Sequence, residues 1–294
     1  MKYAILLLLT LTTAAYAETV RLFTVGNSFS QNATHYLADI AKANGDTLIL
    51  GTANIGGSSF AVHWKKVLEH QKDPKAKAGL YTMGRGLKEW LQSDAWDYVT
   101  IQQASRQSHD IANYRPSAKQ LADYIRQHAP KAKLMLHQTW AYRVDDPWFT
   151  TNQPIKGNPT TQDAMYRGLK SAYATIAQEL GAGLIPVGDA FHLADTDAQW
   201  GYRAAPFDSK KAKPGVLPDQ SHSLHVGWSW KNNKLGMDGH HANVAGEYLG
   251  ACVWYEVFFG KSAIGNSFLP KGLDAAYAKF LQQAAHRAVS SPQQ

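Results

Sequence analysis

Short apolar, β-branched runs alternate with helix-like stretches along most of this chain. That alternation constrains the fold more than any other feature. The runs are Val20 to Val25, Thr47 to Ala53, Tyr98 to Gln102, Lys133 to His137 and Gly183 to Val187. Between them lie stretches with helical spacing: Ala33 to Ala43, Phe60 to His70, Leu87 to Gln92, Pro116 to His128 and Thr161 to Leu180. Two more, Asn243 to Phe259 and Leu273 to Val289, follow the last run. Strands that alternate with helices predict a parallel sheet covered on both faces, the α/β class. In such sheets a ligand site lies outside the carboxyl ends of the strands. The pattern is interrupted near residues 141–160 and 198–235, read here as irregular insertions into a single domain spanning 18–294.

The first run leads directly into Gly26-Asn27-Ser28-Phe29-Ser30. Ser28 therefore sits where a strand hands over to a helix, with its hydroxyl at the carboxyl edge of the sheet. Backbone N–H groups at a helix start can face a developing oxyanion. The plainer reading is that Ser28 caps the helix, since serine is a favoured N-cap residue.

The beginning of the chain predicts the compartment. Lys2 precedes an apolar run from Ala4 to Leu11, and Ala15-Tyr16-Ala17 forms an A-x-A cleavage site. This is the pattern of a secretory signal peptide over residues 1–17, too short to span a bilayer. The expected mature chain starts at Glu18 and is secreted, to the periplasm or beyond the cell, with no later membrane segment. Its 45% hydrophobic and 18% charged content argues against disorder. The formal charge is +7, part of it on Lys2, and the remaining lysines are scattered. No basic tract with interleaved aromatics points to nucleic acid. The single cysteine, Cys252, excludes an internal disulfide and reads as a buried small hydrophobe.

Further polar stretches fall at the ends of the predicted strands. Gly56-Gly57 follows the second and offers an unobstructed N–H, or simply a turn. Gln102-Gln103 ends the third; a side-chain amide there can donate to an oxyanion or satisfy loop backbone. His137-Gln138-Thr139-Trp140 ends the fourth, making Gln138 and Trp140, with Gln103, candidates for the pocket wall. Near the end of the core, Asp238-Gly239-His240-His241-Ala242-Asn243 places an aspartate three residues before a histidine. Histidine is the usual general base for a serine, and an aspartate in a turn before a helix can hold its Nδ1. Asn243 is a natural N-cap for the helix that follows.

Taken in order, these stretches resemble the SGNH hydrolases, the GDSL-type esterase and lipase superfamily, in a branch first catalogued as a domain of unknown function. The blocks are Gly26 to Ser30, Ile55 to Ser59, His63-Trp64, Trp96 to Ser105, His137 to Tyr142 and Asp238 to His241. The resemblance implies a flavodoxin-like three-layer α/β/α sandwich with about five parallel strands. It implies Ser28 as nucleophile, His241 as base and Asp238 as its orienting acid. It further implies an oxyanion hole from the Ser28 and Gly57 N–H groups and a side chain of the third block. Two departures stand out. Asn27 replaces the aspartate of Gly-Asp-Ser. Gln102-x-x-Ser105 stands where a Gly-x-Asn-Asp is usual, resembling the Gln-Gly-Glu-Ser block of sialate O-acetylesterases. Successive strand residues point to opposite faces, so one of Gln102 and Gln103 is expected to face the oxyanion. The shared spacing selects Gln102.

Competing motifs fall short. There is no G-x-S-x-G elbow, and Gly79 to Gly86 lacks the Lys-Ser/Thr of a phosphate loop. His222, His225, His240 and His241 show neither a His-Glu-x-x-His spacing nor supporting thiolates, so neither a metal nor any other cofactor is expected. The reading is an exported serine esterase acting on short acyl groups, with carbohydrate O-acetyl esters first among substrates. Trp140, Tyr142, Trp148, Trp200, Trp228 and Trp230 could offer faces to sugar rings or pack internally. The alternatives are a short-chain lipase, arylesterase or thioesterase, and a catalytically silent glycan-binding protein on the same fold.

Overall fold

The computed structural model describes residues 17–151 and 157–291. All but the last residue of the expected signal peptide, and part of the 141–160 insertion, lie outside these residues. Five strands form one fully parallel sheet: β1 (Thr19–Val25), β2 (Thr47–Thr52), β3 (Tyr98–Ile101), β4 (Lys133–His137) and β5 (Gly183–Ile185). Their order is β2-β1-β3-β4-β5. Chain order reverses between β1 and β3, which makes their carboxyl ends the topological switch point where open α/β sheets bind ligands. Val25 pairs with Ile101 in the register there, so both strands finish level. Residues 22–25 of β1 are all buried, as expected of a central parallel strand covered on both faces.

The helices are α1 (Ser28–Thr34), α2 (Leu37–Ala43), α3 (Phe60–Lys72), α4 (Leu87–Leu91), α5 (Ser117–His128), α6 (Trp148–Thr151), α7 (Gln162–Leu180), α8 (Val187–Asp195), α9 (Val244–Phe259) and α10 (Ala275–Ser290). One layer contains α3, α4, α5 and α7; the other is built around α9, against which α1, α2, α8 and α10 pack. Most of α9 is buried, because apolar residues surround its axis rather than forming one stripe. Cys252 lies within it, fully buried. The expected five-stranded α/β sandwich is thus the observed fold.

Three local expectations needed correction. The helix expected over 33–43 is two helices, and the first already begins at Ser28. The run Gly183 to Val187 stops at Ile185, because Pro186 precedes a further helix, α8, not anticipated from sequence. The insertion at 198–235 is not irregular throughout. It enters an antiparallel hairpin, β6 (His225–Lys231) and β7 (Lys234–Ala242), turned by Asn232 and Asn233. Both asparagines have positive φ, +51° and +58°, as a two-residue primed turn requires.

Candidate active site

Ser28 is the first residue of α1 and is not its cap. Asn27 holds that position: its Oδ1 accepts from Phe29 N at 2.9 Å. The cap leaves the Ser28 side chain free to point outward, and it is half-buried. Its Oγ lies 2.9 Å from His241 Nε2, and His241 Nδ1 lies 2.8 Å from Asp238 Oδ2. Ser28 and His241, 213 residues apart in sequence, are thereby brought together with Asp238.

Asp238 and His241 lie on β7, not in a turn before α9, and three anchors hold that strand end. Arg143 N donates to Gly239 O at 2.7 Å, Trp140 Nε1 to His240 O at 2.9 Å and Ala242 N to Asn32 Oδ1 at 3.3 Å. Asn243 then caps α9, accepting from Ala245 N and Gly246 N, while its Nδ2 donates to Ser223 O and His225 O. One side chain thus ties the hairpin to the helix start, two residues beyond His241. Burial alone would raise the Asp238 pKa. Hydrogen bonds from the His241 ring and backbone N–H, with the nearby imidazoles, instead hold it well below the usual carboxylate range. Asp238 is therefore an anion at neutral pH, suited to hold Nδ1–H of His241 and leave Nε2 to take a proton from Ser28.

The loop carrying Ser28 is braced from below. Asn27 Nδ2 donates to Ser58 O at 2.9 Å, joining the loop to the turn after β2. Ser58 Oγ donates to Gly26 O at 3.0 Å and lies 2.8 Å from His63 Nε2, while His63 Nδ1 meets the Tyr81 hydroxyl at 2.9 Å. Burial holds the His63 pKa down to about 4, so the ring is neutral and only one of its nitrogens carries a proton. With Tyr81 donating to Nδ1, the Nε2–H faces Ser58 Oγ and Gly26 O. A Cβ at Gly26 would collide with Ser30 Oγ and Gln102, so this position requires glycine.

Residues 21–199 match the family described as Domain of unknown function (DUF4886). The chain belongs to that family. A DUF4886 protein from Bacteroides uniformis ATCC 8492 has a crystal structure similar to this chain, at 27% identity and a TM-score of 0.71, covering 94% of this chain and 96% of that one. The periplasmic domain of a lipopolysaccharide acetyltransferase from Salmonella ser. Paratyphi A gives 11% identity and a TM-score of 0.48, covering 82% of each chain. Phospholipase A1 from Streptomyces albidoflavus NA297 gives 15% identity and a TM-score of 0.42, covering 84% of this chain and 100% of that one. These two likenesses are distant. No curated protein matched the sequence. The sheet order of this DUF4886 protein, with a serine at the switch point, agrees with the SGNH-type arrangement that its sequence blocks resemble.

A cavity of about 330 Å³ opens over the serine of this DUF4886 protein. Ser28, Gly57, Ser105, Tyr142, His240 and His241 are among its lining residues. Gly57 has φ +67°, a conformation glycine adopts without strain, and its N–H and that of Ser28 meet no protein acceptor among the described residues. Both are suited to face an oxyanion.

The third donor expected from the sequence is not available. Gln102 is fully buried. Its Nε2 donates to Asn27 Oδ1 at 2.7 Å, and its Oε1 accepts from Ser30 Oγ and from His137 Nδ1. Gln103 is no substitute: its Nε2 donates to Asn113 O at 2.7 Å and its Oε1 accepts from Ala104 N and Phe60 N. The other two wall candidates also belong to the framework. Gln138 bonds Asp189 from a buried position. Trp140 lies between Phe29 and Phe191. Of the aromatics suggested for sugar rings, Tyr142 alone lines this cavity; Trp148 is buried, and Trp200 stacks on Tyr277 and Phe280.

Sequence reasoning missed Arg106 and passed over His240 except as a possible zinc ligand. Both line the cavity. His240 Nδ1 lies 3.1 Å from Asp238 Oδ1. Burial lowers its pKa despite that carboxylate. Asp238, His240 and His241 form the one group of potential metal ligands among the described residues. Each carboxylate oxygen already meets an imidazole Nδ1, and His241 Nε2 meets Ser28. A hydrogen-bonded acid-base chain accounts for this arrangement in full. The histidines His222 and His225 lie elsewhere: His225 is buried against Ala141 O, and His222 packs on Trp200.

Proposed function

We propose that this protein is an exported serine esterase that hydrolyses short acyl esters, with O-acetyl groups on carbohydrate as the first substrate class. The Ser28–His241–Asp238 chain of hydrogen bonds carries the reading. Ser28 Oγ attacks the ester carbonyl as His241 Nε2 takes its proton. The developing oxyanion is received by the Ser28 and Gly57 N–H groups. Collapse releases the alcohol, protonated by His241, and leaves an acyl-enzyme on Ser28. Water, deprotonated by His241, then releases the acid and restores Ser28. A cavity of about 330 Å³ with several polar lining groups favours a small acyl group over a long chain. Export rests on the leader pattern of residues 1–17 and is consistent with the lack of any membrane-spanning helix among the described residues.

Matched p-nitrophenyl acetate and octanoate, run beside acetylated polysaccharides, test the reading. Faster turnover of acetyl esters, abolished in Ser28→Ala, is expected. A preference for octanoate would move the assignment to a lipase.

A further inference from the structure

The turn that follows β3 is built from within to hold Arg106 at the cavity mouth. Gln103 fixes its start through Ala104 N, at 2.8 Å. Ser105 Oγ pairs with the Tyr142 hydroxyl at 2.8 Å. Ser108 Oγ donates to Ser105 O, and the Tyr114 hydroxyl donates to Ser108 O, each at 2.8 Å. Ser105, Ser108 and Tyr114 are buried. The single 3-10 turn Ser105–Gln107 is therefore pinned on its inner side, and its outer side presents Arg106 to the cavity that holds Ser28 and His241.

Arg106 forms no ion pair with any carboxylate among the described residues. Its guanidinium instead lies toward the Tyr142 hydroxyl, and its charge reaches His240 on the cavity wall. The two acids that act on His240 are engaged: Asp238 by His240 and His241, and Asp146 by Trp148 N, against Gly239. A guanidinium is a planar, permanently charged, weakly hydrated fork that matches a carboxylate in two parallel hydrogen bonds. Here the protein places such a fork in the wall of the cavity that holds Ser28 and, among the described residues, supplies it no anion.

We infer that Arg106 is a specificity-determining residue that selects esters bearing a carboxylate, on the alcohol part, as in O-acetylated uronic acid units. The inference rests on the short-acyl esterase reading, since an acetyl group has no place for a charge and the anion must belong to the alcohol. Bound at Ser28 through its acetyl carbonyl, such a substrate would reach Arg106 with the carboxylate of its own ring or of an adjoining unit.

The test compares O-acetylated glucuronic acid with O-acetylated glucuronamide, which share ring and acetyl group and differ in charge. The wild-type protein should favour the acid by about tenfold in kcat/KM, mostly through KM. Arg106→Gln should bring the ratio near one, Arg106→Lys should restore part of it, and Arg106→Glu should invert it. A ratio near one in the wild type, or a ratio that Arg106→Gln leaves unchanged, overturns the inference while leaving the esterase reading intact. Failure of the wild type to release acetate from either sugar and from p-nitrophenyl acetate overturns both.

Discussion

At the scale of single residues, the unusual block Gly26-Asn27-Ser28 finds its explanation in Asn27. Its Oδ1 accepts from Phe29 N and Gln102 Nε2, and its Nδ2 donates to Ser58 O. An aspartate has no donor for Ser58 O and would set two oxygens against each other there. Gln102 is the matching partner, so the two departures from the superfamily pattern are one device. Its reach could not be read from sequence, because Asn27 and Gln102 are 75 residues apart and strand parity alone does not choose a direction. Gln102→Ala should destabilise the fold by about 1–3 kcal/mol, since it strands the buried Ser30, His137 and Asn27 groups. Activity should fall with the loss of order at Ser28. Thermal denaturation alongside kinetics checks this: an unchanged melting temperature with a large kcat loss would restore Gln102 as a direct oxyanion donor.

At the scale of elements, caps were partly legible. Asn243 reads as an N-cap in the sequence and is one in the fold. Asn27 and Ser28 are both cap residue types, and where α1 begins decides between them, which depends on the turn after β2 that Asn27 bonds. The hairpin went unread because its two strands carry exposed, polar and aromatic residues without a clear apolar face. That hairpin nevertheless carries Asp238 and His241. Asn243→Ala should cost about 1–2 kcal/mol as a cap is lost. It should also lower kcat, because the same side chain holds the hairpin through Ser223 O and His225 O. Asn243→Asp keeps the cap acceptor but loses both donations, so it should recover stability more than turnover. Equal recovery of both would contradict the coupling.

At the scale of the whole molecule, the parallel sheet was legible because its strands are short apolar runs set between helices, whereas the strand order, and with it the switch point, is visible only in the fold. Within its framework the protein buries neutral histidines: burial lowers His63 and His225 to about 4 and His137 to about 3. Their unfolded-state values are near 6.5. The unfolded chain therefore binds more protons between about pH 6.5 and 4, and stability falls as pH falls through that window. Each such histidine contributes a slope approaching about 1.4 kcal/mol per pH unit. The depressed Asp238 pKa adds a further loss below the ordinary carboxylate range. Melting temperatures should drop steeply from pH 7 to pH 4.5, and a flat profile would contradict the buried neutral assignment. The central claim is that Ser28 is a nucleophile activated by His241. Intact mass measurement after treatment with a fluorophosphonate tests it most directly. The account predicts one adduct, mapped to Ser28, absent in Ser28→Ala and much slower to form in His241→Ala; undiminished labelling of Ser28→Ala, or no labelling of the folded wild-type protein, would contradict it.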